Sequence, residues 1–170
     1  MNKLLYFLLS LFTVQSLYSQ ISGNCNAPYN TPESLVEILV GEGVEYSNVT
    51  FSGFDCSAGY FDGTSNLDFQ TGLVMATNGV ESIAPGGFGF GGGGADADAD
   101  LEEQLQLVNA TNTDLNNLIV LEFDFTTSSN EFFLDFVFAS NEYAVNTCGD
   151  DVDVFGLLLS GPGISGPYSN

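Results

Sequence analysis

Residues 131–170 read EFFLDFVFASNEYAVNTCGDDVDVFGLLLSGPGISGPYSN. Two apolar runs, 132–139 and 152–160, flank a loop that carries Glu142, Asp150, Asp151 and Asp153. The first run is apolar on both alternate faces except at Asp135, which predicts a central strand buried on two sides. The second sets Val152, Val154, Gly156 and Leu158 against Asp153, Phe155, Leu157 and Leu159. The expectation is a pair of core strands that hold a carboxylate-lined loop at one end of a sheet.

Upstream, LIVLEFDFT at 118–126 alternates from Ile119. Ile119, Leu121, Phe123 and Phe125 face one way; Val120, Glu122, Asp124 and Thr126 face the other. That is the pattern of a half-buried antiparallel strand. VEYSNVTFS at 44–52 predicts a strand broken at Ser47-Asn48, Tyr60-Phe61 a short one, and 73–77 another, closed by the turn pair Asn78-Gly79. Residues 21–31 read as a polar lead-in. A helix is expected over 32–40, capped by Thr31, opened by Pro32 and stopped by Gly41. A second short helix follows Asp100, with Glu103 completing a capping box and Leu101, Leu105 and Val108 on one side. Many short strands and few helices predict a mainly β chain, an antiparallel β-sandwich of jelly-roll type with one or two short helices.

The first 19 residues read as an export signal: Lys3, an apolar run, then Ser19 before Gln20. Residues 20–170 form one expected β-sandwich domain. The close on SGPYSN, with no final strand, predicts that this domain is cut short at its C-terminal end. Lys3 is the only Lys or Arg and there is no His. With the signal removed, all 22 acids remain and the net charge is −22. Without cations no phosphate can be neutralised, so nucleic acid is excluded as a partner, as are anionic membrane surfaces. No later stretch is long and apolar enough to insert in a membrane. Relief of the carboxylates is expected from water, backbone N–H groups, mobile ions or bound metal. Export implies oxidising conditions. Cys25 and Cys56, both in the N-terminal half, form the expected disulfide, and Cys148 is left to a partner elsewhere.

The side-chain inventory removes Ser-His-Asp and Cys-His catalysis, imidazole-bound zinc and Schiff-base chemistry. Paired carboxylates alone permit a common mechanism, and nothing sets two of them at a fixed separation. The expectation is a non-enzyme. Crowded carboxylates repel by about 1 kcal/mol per close pair even in water, and a hard cation reverses that sign. Ca²⁺ held by Glu142, Asp150, Asp151 and Asp153 is therefore expected. Asp96, Asp98 and Asp100 form a second candidate; they resemble the opening of a calcium loop but lack its turn glycine and late glutamate. Tyr143 and Tyr60 are candidate ligand-binding aromatics. Gly89, Gly91 and Gly94 match a dinucleotide-binding pattern in form only.

Further residues carry a family likeness. Phe138, Ala139, Ser140, Glu142 and Tyr143, then Val154, Phe155 and Gly156, then Ser160, Gly161, Pro162, Gly163 and Ile164 match a recurring pattern. So do GVEYSNVTFSG, TGLVMATNGV and LEFDFTTSSNEFFLDFVF upstream. The chain resembles the choice-of-anchor L domain of exported bacterial surface proteins, common in Bacteroidetes. The resemblance implies a large secreted or cell-surface protein and suggests adhesion, with no catalytic residue to carry over. Asp153 departs from the pattern, where Asn is frequent. The expected function is thus a non-catalytic extracellular adhesion or scaffolding domain with a glycan or protein ligand at the cell surface. The alternative is a carbohydrate-binding module attached to a polysaccharide-degrading system.

Overall fold

Five strands and two α-helices are seen among the described residues, 20–64, 70–84, 97–108, 114–140 and 153–165 of this computed structural model. In chain order they are β1 (Gln20–Asn24), α1 (Pro32–Leu39), β2 (Val44–Ser52), β3 (Ala58–Thr64), β4 (Thr71–Met75), α2 (Ala99–Leu107) and β5 (Val120–Thr127). A short 3-10 turn, Val80–Ile83, follows β4. Strands β1, β3 and β4 form a 3-stranded antiparallel sheet with β3 in the middle. Strands β2 and β5 form a 2-stranded antiparallel pair. The chain is mainly β, with two antiparallel sheets and two short helices. The eight strands of a jelly roll are not among the described residues.

Helix α1 follows from its ends. Thr31 Oγ1 accepts from the Ser34 backbone N–H at 3.2 Å, and Ser34 Oγ accepts from the Thr31 N–H at 3.1 Å. Serine thus does the reciprocal work usual for Glu or Gln. Pro32 occupies the first turn, where its missing N–H costs nothing. Leu35 and Val36 are buried, and α1 packs against β2, β3 and β4. The helix therefore bridges the two sheets. Thr31→Ala is expected to cost about 1 kcal/mol and to lower the melting temperature by about 2–4 °C, read by circular dichroism. An unchanged melt would show that the cap is not formed.

Tyr46 on β2 donates to Glu37 Oε1 of α1 at 2.9 Å. That bond, followed by partial desolvation and the Glu37 and Glu33 charges, pushes the phenol above its ordinary range.

The β2–β5 register breaks between Ser47 and Thr50. Asn48 sits there at φ 53°, a left-handed conformation that asparagine tolerates. Its Nδ2 donates to Asp124 Oδ2 at 2.6 Å. Thr50 Oγ1 faces Glu122 Oε2 at 3.4 Å, and Ser22 Oγ donates to Asp62 Oδ1 across β1–β3 at 2.6 Å. Neutral side-chain donors thus relieve carboxylates between strands. These donors add to the water, backbone N–H groups, ions and metal expected from composition.

Several expectations need correction. The lead-in at 21–31 contains β1, which is a strand because β3 offers it a ladder; its own composition is polar. Helix α2 begins earlier than expected: Asp98, rather than Asp100, caps it and accepts from the Leu101 N–H at 2.9 Å. Val108, placed on its apolar side, is exposed, while Leu105 is buried. The described parts of the two expected core strands, 132–139 and 153–160, carry no ladder among the described residues. Phe133 is 89 % exposed, Phe136 62 % and Leu157 59 %. The runs still meet: Phe136 stacks on Phe155 at 5.4 Å between centroids, and Phe132 meets Phe125 of β5 edge-on at 5.9 Å. Apolar composition favours burial, but burial requires a facing layer, and Phe132, Phe133 and Phe136 stay half or more exposed among the described residues. The small core lies elsewhere, at Leu35, Val36, Ala58, Phe61, Val80, Leu105 and Leu115.

Candidate functional site

The best-built corner of the molecule joins the segment before α1 to the turn between β2 and β3. Cys25 and Cys56 are linked there, with Cα atoms 5.2 Å apart and 31 positions between them in sequence. The turn is held from several sides. Cys56 adopts φ 64°. The Ser57 N–H donates to Phe54 O at 3.1 Å, Ala76 N–H to Ser57 O at 2.8 Å, and Val80 N–H to Cys56 O at 2.8 Å. Tyr29 stacks on Tyr60 of β3, with centroids 4.6 Å apart and planes at 17°.

Between these pieces lies a cavity of about 240 Å³, lined by the disulfide, Tyr29, Leu35, Phe51, Phe54, Asp55 and Ser57 among others. Asp55 is exposed at this corner, and Ser57 is fully buried. The Oγ of Ser57 has no hydrogen-bond partner among the described residues. The arrangement combines aromatic walls, a carboxylate and a buried hydroxyl, which is the make-up of a small-ligand site.

The sequence-based candidates fall differently. Glu142, Asp150 and Asp151 lie outside the described residues; Asp153 is described and exposed. Of the second set, Asp96 lies outside, Asp98 caps α2 and Asp100 sits in its first turn. Among the described residues no group of three or more His, Cys, Asp or Glu is placed to hold a metal ion. Tyr143 and Cys148 lie outside, as do residues 1–19 of the expected signal and the Gly89–Gly91–Gly94 pattern. Tyr60 is described, and its ring packs on Tyr29. No described helix is long and apolar enough to cross a membrane.

Sequence reasoning missed Tyr29, Asp55 and Ser57. A signal was present: Asp55 and Ser57 flank Cys56, and Tyr29 lies close after Cys25. The expected disulfide alone would have drawn these residues together.

Comparison with known families gives one match: the model of the choice-of-anchor L domain covers residues 24–170. No curated protein and no solved structure matches the chain.

Proposed function

The chain belongs to the choice-of-anchor L domain family, and from that premise we propose that it is a non-catalytic extracellular adhesion or scaffolding domain of a secreted or cell-surface protein. Membership is consistent with a surface-associated, non-catalytic domain. The side-chain inventory supports the same reading. Beyond Lys3 there is no Lys, Arg or His to act as base, clamp or imidazole ligand. The observation that carries adhesion is the surface: Phe136, Phe138 and Phe155 are exposed and meet one another, Phe155 lying 5.4 Å from Phe136 and 6.4 Å from Phe138 between ring centroids. A contiguous apolar patch of that kind marks an interaction face.

Calcium belongs to this proposal. Glu142, Asp150, Asp151 and Asp153 crowd a short stretch of a chain without cations, where a hard oxygen-seeking ion is the natural counter-charge. The second reading is a carbohydrate-binding module. The stacked Tyr29–Tyr60 pair favours it, since a fixed aromatic face suits a sugar ring.

Display of the chain on a non-adherent bacterial host tests the main reading. Displayed cells are expected to be retained on a surface of the natural partner cells, more strongly in Ca²⁺ than in chelator. In parallel, Ca²⁺ is expected to raise the melting temperature at fixed ionic strength. Equal retention of displaying and control cells would end the adhesion reading; identical melts in Ca²⁺ and chelator would end the calcium part.

A further inference from the structure

The three rings that meet at Phe155 sit on a face anchored from behind. A Cβ at Gly156 would stand 2.6 Å from Leu101 Cδ2, so the backbone next to Phe155 lies directly against α2. Phe132 meets Phe125 of β5 edge-on at 5.9 Å, which ties the segment bearing Phe136 and Phe138 to the β2–β5 pair. The planes of Phe136 and Phe138 each lie at 30° to that of Phe155. In front, the face is open. All three rings are half or more exposed, as are Val137 between two of them and Leu157 just after the third.

Charge decides what can cover it. Asp135 precedes Phe136, Asp153 stands two positions before Phe155, and both acids are exposed. No Lys, Arg or His follows Lys3, so the chain has no cation of its own to set against them. A second copy is therefore a poor occupant. A two-fold contact through one patch brings the same acids together from both sides, and each copy carries 22 acids. Anionic lipid is repelled in the same way. A sugar ring needs a free aromatic face, and Phe136 and Phe155 are stacked on each other. A basic polypeptide segment meets both demands: its apolar side chains cover the rings and its cations reach the carboxylates. Arginine suits the task better than lysine. Its guanidinium stacks on a phenyl face and pairs with a carboxylate through two parallel hydrogen bonds.

We propose that the face formed by Phe136, Phe138 and Phe155 docks a basic amphipathic segment of a partner protein, in which arginines are interspersed with aliphatic residues. The aliphatic side chains cover the three rings, and the arginines pair with Asp135 and Asp153. Desolvation of the rings holds the complex together; the acidic field speeds its formation and rejects acidic partners. The assignment names the chemistry of an adhesion partner and rests on the adhesion reading for that partner's role.

Fluorescence anisotropy of short labelled peptides, titrated with the full chain at fixed ionic strength, tests it. One peptide alternates leucine and arginine, a second serine and arginine, a third leucine and glutamate. The leucine–arginine peptide is expected to bind, the serine–arginine peptide about tenfold or more weaker, and the leucine–glutamate peptide not at all. Phe136→Ser with Phe155→Ser is expected to weaken the first peptide about tenfold or more. If that double variant fails to fold, Phe138→Ser alone is the substitute, with a several-fold loss expected. Asp135→Asn with Asp153→Asn is expected to cost a few-fold, more at low salt. Met75→Ser at an exposed apolar residue of β4, and Glu45→Gln at an exposed acid of β2, leave binding unchanged. The proposal is overturned if the serine–arginine peptide binds as well as the leucine–arginine one, since diffuse charge would then suffice. It is overturned too if the Phe variants bind as the parent does, or lose no more than Met75→Ser. A parent that sediments as a dimer, and Phe variants that sediment as monomers, would give the face to a second copy and overturn it as well. Peptide binding without cell retention would sink the adhesion reading alone. Cell retention untouched by the Phe substitutions would sink this assignment alone.

Discussion

Replacing Cys25 and Cys56 together by serine is expected to lower stability by about 3–4 kcal/mol and the melting temperature by about 10 °C. The disulfide closes 31 positions of chain, and in the chain-entropy account the cross-link acts mainly by restricting the unfolded ensemble. Its folded-state role adds to this. It ties the end of β1 and the approach to α1 to the turn before β3, and that turn anchors Ala76 and Val80 through backbone bonds. The described core is small, so the cross-link carries weight beside the backbone bonds and the Tyr29–Tyr60 stack at this corner. Urea melts with and without dithiothreitol check the expectation. Reduction should bring the parent chain down to the level of the double variant and leave the variant where it was. Coincident midpoints for parent and variant under oxidising conditions would show that the cross-link contributes nothing.

The second large effect is expected at Gly59. This residue lies buried in β3, the middle strand of its sheet. A Cβ there would stand 2.5 Å from Asn24 O, 3.0 Å from Asn24 C and 3.1 Å from Cys25 Cα. All three atoms are backbone, so no side chain can swing aside. Gly59→Ala must push β1 off β3 or shift the disulfide, and overpacking of this kind costs about 1–3 kcal/mol, sometimes more. Gly41→Ala is the control, since nothing lies within 4 Å of its Cβ position and its φ is not in the left-handed range. That variant is expected to be neutral or stabilising by about 0.4–1 kcal/mol, because alanine restricts the unfolded chain. Melts of the two variants side by side decide the point. A Gly59→Ala chain as stable as the parent would mean that β1 does not approach β3 this closely.

Much of the local structure was legible because it depends on neighbours in sequence. Thr31, Pro32 and Glu33 open α1 and Gly41 follows its end, so the helix could be placed from neighbours in sequence. Alternation at Ile119–Phe125 and the Ser47-Asn48 interruption marked β5 and the bulge of β2. The acidic imbalance needed only counting. Harder were features made by distant residues. QISGN carries no strand pattern, and β1 exists through its register with residues 60–64 of β3. The two Asp residues near α2 compete for one cap, and the choice of Asp98 depends on where the chain enters the helix. The apolar runs at 132–139 and 152–160 announced a wish for burial without saying what would cover them.

Short-range physics, then, determined from sequence alone that this chain is mainly β, carries helix α1 with defined ends and bears a charge it cannot neutralise from within; the expected Cys25–Cys56 link is the one the structure contains. Only the tertiary structure decided that β1 pairs with β3, that α1 bridges two sheets, and that carboxylates take donors from Ser, Thr and Asn on facing strands. The cavity around Ser57 belongs to the second group. Its walls come from residues 25–35 and 51–58, and a hydroxyl becomes unsatisfied only when packing removes it from water.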